Sequence, residues 1–335
     1  MSESVRWASD FRQAAYPGHD PDDLDGQAME TSWFAKRPVS SVRPGDHGWL
    51  AYSGAEERDL VIGTFIEEGL RTGEKVVYVT DTPPDELPGM AKRTSLDVSS
   101  YLSSQQLKVI PLEVACLDSR GAFVPDKLLE TLGREVDLTF GQGFRAARLT
   151  TDHSRMINRP GRYDLGRMLG CEHRFGDAVS PSTMAMAICQ IARQACPPGE
   201  LAALRATHEV LIEVDPEFDD GILKIVRTFE PHGLRLEGEL DDVRHARFSE
   251  ALTKAALART RREIHLDFAE LGFIDLSGLT LLAQHATRLD GDRELVLDHL
   301  PPNTENLIEL VGWHRLPGLS RGRERDALSA EGRTS

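Results

Sequence analysis

Apolar runs punctuated by turn formers divide the chain into alternating strands and helices over its first two thirds. Runs at 47–52, 75–80, 107–110, 146–150, 184–189 and 210–214 read as strands, and patterned segments at 127–140 and 165–175 as helices. The first strand runs into Ser53-Gly54-Ala55-Glu56, an S-x-x-E capping box. Leu60, Ile62, Phe65 and Leu70 then mark a helix that Gly73 closes. Strands alternating with helices of this length predict an α/β domain with a largely parallel sheet. The acidic, turn-rich stretch 215–221 reads as a loop before a last strand at 222–226, which puts the domain boundary near residue 228.

A smaller unit follows. Leu234, Leu236 and Leu240 alternate along a strand pair, and Phe248, Leu252, Ala255 and Ala256 mark an amphipathic helix. Ile264, Leu266 and Phe268 alternate in a central strand that ends at Phe273-Ile274 and turns at Asp275-Leu276-Ser277-Gly278. Leu279, Leu282, Ala283, Ala286 and Leu289 then share one helical face. A strand at 294–297 and a helix capped by Asn303 or Thr304 complete a compact sheet of four or five strands with helices packed on it. Ser277 stands where a helix begins. A phosphate added there would meet unpaired backbone N–H groups and the positive end of the helix dipole, as at a site a kinase writes and a partner reads.

The ends are polar. Residues 1–40, broken by Pro17, Pro21 and Pro38 and acidic at Asp20, Asp22, Asp23 and Asp25, read as a flexible tail, as do residues 322–335. The expected layout is therefore a tail over 1–40, domains over 41–227 and 228–321, and a tail over 322–335.

A net charge of −15 argues against duplex nucleic acid or an anionic membrane as a direct partner. No apolar run approaches a bilayer span. Cys116, Cys171, Cys189 and Cys196 follow no zinc-ligand spacing and read as buried reduced thiols of a cytoplasmic protein. The turn after the first strand lacks the phosphate-binding signature of nucleotide hydrolases and offers Glu56 and Glu57 in place of lysine. No serine-hydrolase elbow, zinc-protease helix or dinucleotide loop occurs. No enzyme activity, cofactor or metal is expected. Asp152-His153 and Glu172-His173 offer metal-ligand or acid–base chemistry, but capping and surface roles are the commoner use of such pairs, and His208 fits the end of a strand or helix.

Two resemblances join these readings. Residues about 228–320 resemble a STAS domain of the anti-sigma factor antagonist type. They carry Leu236-Glu237-Gly238-Glu239-Leu240-Asp241, Leu266-Asp267-Phe268, Ile274-Asp275-Leu276-Ser277-Gly278-Leu279 and a late strand at 295–297. The resemblance implies Ser277 as phosphoacceptor and Asp275, Leu276, Ser277 and Gly278 as a partner-binding surface. Leu276 stands where that family usually has Ser or Thr.

Residues about 44–226 resemble the MEDS sensory domain, a relative of RecA-like ATPase domains, here without the phosphate-binding loop. Asp46-His47-Gly48, residues 65–74, Thr151-Asp152, Glu172, Ile188-Cys189-Gln190 and residues 204–208 carry that likeness. It implies a ligand pocket of His47, Asp152, Glu172 and His208, expected at the carboxyl ends of the sheet strands.

Together the resemblances imply a signal-transduction regulator. A small-molecule signal or partner acts on the sensory part, and the STAS part binds an anti-sigma factor or serine kinase by partner switching. A nucleotide-binding or cryptic ATPase-like protein, or a STAS scaffold that is never modified, are the alternatives.

Overall fold

The computed structural model describes residues 35–90, 93, 96–157, 164–257 and 261–324. The acidic patch at 20–25 and the last eleven residues lie outside the described residues. The chain divides into two units, with the break between Glu213 and Val214.

The first unit is built on a seven-stranded sheet whose pairings are all parallel. Its strands are β1 (Ala35–Pro38), β2 (His47–Tyr52), β3 (Lys75–Val79), β4 (Leu107–Ile110), β5 (Ala147–Asp152), β6 (Ala185–Ala192) and β7 (Val210–Glu213). They lie in the order β1-β7-β2-β6-β5-β3-β4. Four longer helices connect them: α1 (Ala55–Arg71), α2 (Pro125–Gly141), α3 (Leu165–Ala178) and α4 (Pro198–Arg205). A parallel sheet needs helices on both faces, and strand alternation sorts the residues accordingly. Val76 and Arg148 lie against Gly69 of α1, whereas their neighbours Val77, Ala147 and Leu149 join the core under α2 and α3. The buried strands β3 and β6 are accordingly largely apolar runs, whereas β5, equally buried, carries Arg148, Thr150, Thr151 and Asp152.

The second unit is a six-stranded mixed sheet in the order β13-β12-β11-β10-β9-β8. Its strands are β8 (Phe218–Asp219), β9 (Leu223–Phe229), β10 (His232–Leu240), β11 (Glu263–Ile274), β12 (Glu294–Asp298) and β13 (Leu319–Arg321). Helices α5 (His245–Ala256), α6 (Leu276–Thr287) and α7 (Pro302–Val311) accompany it. Phe248, Leu252, Leu266, Phe268, Leu279 and Leu282 are among the residues of one shared core. The β10–β13 pairings are parallel, and β8 and β9 join as antiparallel strands.

Four expectations are corrected. The domain boundary falls at 213/214 rather than 227/228, because β9 pairs with β10 of the second sheet. The acidic turn formers there close a hairpin: Asp220 Oδ1 accepts the N–H groups of Ile222 and Leu223 at 3.0 and 2.9 Å. The second sheet has six strands, not four or five. Residues 35–38, expected in the tail, form the edge strand β1, which tolerates Pro38 because an edge has spare pairing positions. The cap of α1 sits one residue later than the S-x-x-E frame. Gly54 is the cap, and Glu57 accepts the Ser53 N–H at 2.7 Å.

Among the described residues no helix is long and apolar enough to cross a membrane. The four cysteines are free and buried.

Gly238 marks a strained point of the second sheet, at φ +95° beside a shift in the β10–β11 register. An added Cβ would lie 1.9 Å from the Ile222 carbonyl oxygen. Gly238→Ala is expected to lower the stability of this unit by at least about 1–3 kcal/mol from backbone conformation alone. Chemical denaturation followed by circular dichroism checks it.

Candidate functional site

Two places bring chemistry-bearing residues together, one in each unit. In the first unit the centre is Glu172 on α3. Met168, Cys171, Glu172 and Phe175 are the buried residues of that helix, spaced i, i+3, i+4 and i+7. A carboxylate thus occupies one place on an apolar stripe and must find partners in the sheet below, since an unpaired buried charge is very costly. It finds three histidines and a cysteine.

His47 opens β2, and its Nε2 lies 3.2 Å from Glu172 Oε2. Cys189, in the middle of β6, donates its thiol to the same oxygen at 3.2 Å and lies 3.3 Å from His47 Nε2. His208, just ahead of β7, places Nε2 3.4 Å from Oε2. His153, one residue past β5, places Nε2 3.0 Å from the other oxygen, Oε1. His208 Nδ1 lies 3.0 Å from the Leu204 carbonyl oxygen, which only accepts, so Nδ1 carries the proton and Nε2 presents a lone pair when the ring is neutral. The His208 Nε2 and both His153 nitrogens are buried without a hydrogen bond of good geometry, despite standing near the carboxylate.

The electrostatics follow from burial. Burial, then the neighbouring His208, pulls the His47 pKa down to about 4. Burial pushes Glu172 upward, but the surrounding histidines, His153 foremost, outweigh it and hold the carboxyl well below its usual range. Burial and the Glu172 charge push the Cys189 thiol well up. These shifts favour a neutral His47 ring and a neutral Cys189 thiol beside the Glu172 carboxylate.

Of the four pocket residues expected from the sequence, His47, Glu172 and His208 come together and Asp152 does not. Successive residues of a strand point to opposite faces. His153 therefore faces Glu172, while Asp152 lies on the other side of the sheet. There it accepts the Ser154 N–H at 3.0 Å and, with burial, raises the pKa of Tyr52 and Tyr78. The location is also corrected. His47 and His208 sit at the amino ends of β2 and β7, so the cluster lies between sheet and α3 rather than at the carboxyl edge.

Surface roles do not fit Asp152, His153, Glu172 or His208, all of which are buried, whereas His173 is exposed. Cys189 was missed as a site residue, and His153, weighed together with Asp152, was passed over for Asp152 in the pocket. Their signals were a polar residue inside the apolar stripe of α3 and the alternation that selects His153 over Asp152.

At the carboxyl edge a cleft of about 530 Å³ opens beside β3 and β4, with Thr80, Asp81, Thr82, Val109 and Glu113 in its lining. Its charged groups are carboxylates.

The second place is the start of α6. The helix begins at Leu276, two residues before the expected Gly278, so Ser277 is its second residue. Asp275 is the cap: its Oδ1 accepts the Gly278 N–H at 2.6 Å and lies 2.8 Å from His245 Nε2. Ser277 is exposed, and among the described residues nothing pairs with its hydroxyl. Leu276 and Phe273 beside it are half exposed although apolar. Gly278 is buried and its missing side chain has a local cause, since a Cβ would meet Ile274 at 3.0 Å.

Residues 46–209 match the family model of the MEDS domain, described as the methanogen/methylotroph DcmR sensory domain. Residues 223–319 match the Mlab-type STAS domain model. No curated protein shows a significant match. Among solved structures, the flagellar accessory protein FlaH of Methanocaldococcus jannaschii is 15% identical, over 56% of this chain and 78% of that one, with a TM-score of 0.38. A KaiC-like protein of Pyrococcus horikoshii is also 15% identical, over 55% and 78%, at 0.37. An anti-sigma factor antagonist of Mycobacterium paratuberculosis is 22% identical, over 32% of this chain and 82% of that one, at 0.24.

Proposed function

We propose that this chain, a MEDS domain joined to a STAS domain, is a cytoplasmic signal-transduction regulator that works by partner switching. The MEDS domain receives a small-molecule or protein signal. The STAS domain binds a protein of the anti-sigma factor or serine-kinase class through the surface around Ser277, and phosphorylation of Ser277 releases that partner. The observation that carries the reading is an exposed serine in the first turn of α6, flanked by the exposed apolar pair Phe273 and Leu276. Exposed apolar groups beside a modifiable hydroxyl supply both halves of a switch, a surface to bury and a charge to disrupt it. Phosphate adds about −1.5 to −2 charge units next to Asp275.

The test is quantitative capture from the native cell with Ser277→Ala and Ser277→Asp proteins as baits. A protein held by the alanine variant and lost from the aspartate variant supports the reading. An identical set on both baits favours a constitutive scaffold.

The first unit is proposed to hydrolyse no nucleotide. The turn after β2 is closed by Glu57 on the Ser53 N–H, so a carboxylate already sits where a phosphate would have to bind. Purified protein is expected to show no ATP or GTP turnover above background. Steady release of phosphate, abolished by a substitution within residues 46–209, contradicts this.

A further inference from the structure

We propose that His47, Glu172, Cys189 and His208 form a four-coordinate site for one divalent cation of the zinc type, buried between the first sheet and α3. Each residue offers one ligand atom, and the four atoms lie within 4.8 Å of one another. Around a tetrahedral zinc at the usual bond lengths of about 2.0–2.3 Å, ligand atoms stand roughly 3.3–3.6 Å apart. Four of the six separations among Glu172 Oε2, His47 Nε2, Cys189 Sγ and His208 Nε2 are 3.2, 3.2, 3.3 and 3.4 Å, and the other two, from His208 to His47 and to Cys189, stay within 4.8 Å.

A hydrogen-bonded carboxylate would look different. Charge-assisted N–H···O bonds contract to about 2.7–2.9 Å, yet both nitrogens on Oε2 stand at 3.2 Å or more. The His208 Nε2, nine-tenths buried and aimed at this point, has no hydrogen bond at all. Its tautomer is fixed by the Leu204 carbonyl, the outer-shell arrangement that metal-ligating histidines use to turn a lone pair inward. His153 stands at the second oxygen of Glu172 and leaves Oε2 to the cluster.

Gly176 completes the shape, since a Cβ there would lie 3.0 Å from His47 Nδ1. Charge points the same way. Carboxylate plus thiolate carry two negative charges, which a divalent cation neutralises in a site that excludes water. Two imidazoles and a thiolate select zinc or cobalt over magnesium or calcium, which take oxygen ligands. The four ligands come from β2, α3, β6 and the segment ahead of β7, so the cation would tie together elements far apart in sequence.

The experiment uses the full chain purified after growth in zinc-supplemented or cobalt-supplemented medium. Plasma mass spectrometry is expected to find one metal per chain. The cobalt form is expected to show tetrahedral d–d bands and a thiolate charge-transfer band. Cys189→Ser removes the charge-transfer band, and His208→Gln weakens binding by at least about tenfold to a hundredfold, the scale of losses at metal sites. His173→Gln, at the exposed neighbour of Glu172, changes neither. X-ray absorption of the wild-type zinc form needs no variant and is expected to show one sulfur with three nitrogen or oxygen ligands. Metal content well below one per chain, a zinc shell without sulfur, or equal metal binding in all the variants overturns the proposal and leaves a metal-free hydrogen-bonded cluster.

Discussion

Ser277→Asp is expected to weaken the hold of the STAS domain on its protein partner roughly 30- to 5000-fold, while Ser277→Ala keeps it. The range corresponds to about 2–5 kcal/mol, the usual cost of an unpaired charge at a desolvated interface. Ser277 is exposed next to Leu276 and Phe273, so docking over that apolar pair would bury the new carboxylate beside Asp275. Loss of binding through unfolding is not the expected route. An acidic residue in the first turn of a helix is favourable by about 0.3–1 kcal/mol through the helix dipole, so α6 itself should be no weaker. Calorimetric titration against the captured partner measures the difference, with thermal unfolding of each variant as control. Equal affinities for wild type and both variants would falsify the phospho-switch and favour a scaffold that is never modified.

The second large effect concerns the core that positions this surface. Phe268→Ala is expected to destabilise the STAS domain by about 3–5 kcal/mol. Phe268 is fully buried on β11, which lies between β10 and β12 and leads directly to Asp275 and Ser277. Truncation leaves a cavity in the core that Phe268 shares with Phe248, Leu266 and the buried residues of α6, in a domain small enough for each kcal/mol to lower its melting point by several degrees. Hydrogen-exchange mass spectrometry reads the result from peptides of residues 223–319. Faster exchange through β10, β11 and β12 is expected. Unchanged protection there would mean that Phe268 is not part of the domain's cooperative core.

Much of this fold was legible because its strands obey simple periodicities. The runs that became β2, β3, β5 and β6 are buried on both faces, and Ile264, Leu266 and Phe268 alternate as a half-buried strand should. The face of α6 named from spacing is the buried one, with Leu279, Leu282, Ala283 and Ala286 inside. What escaped was short or peripheral. Ala35–Pro38 and Leu319–Arg321 are edge strands too short to show a period, and Phe218–Asp219 hides inside an acidic turn.

The buried cluster was half legible. His47, Glu172 and His208 came from a family likeness, but the pairing of Thr151 with Asp152 pointed to the wrong neighbour. Only the strand's alternation, seen against α3, decides for His153. Cys189 looked like one more small apolar residue in an apolar strand. Its partner Glu172 is 17 residues away in sequence, with no motif spacing to announce it.

The most direct test of the switch uses the natural modification itself. The chain is purified from its native cell, Ser277 occupancy is read by phosphosite mass spectrometry, and the captured partner is titrated against phosphorylated and phosphatase-treated protein. The account predicts phosphate on Ser277 and at least about a 30-fold gain in affinity when it is removed. A chain that binds its partner equally well in both states would contradict it.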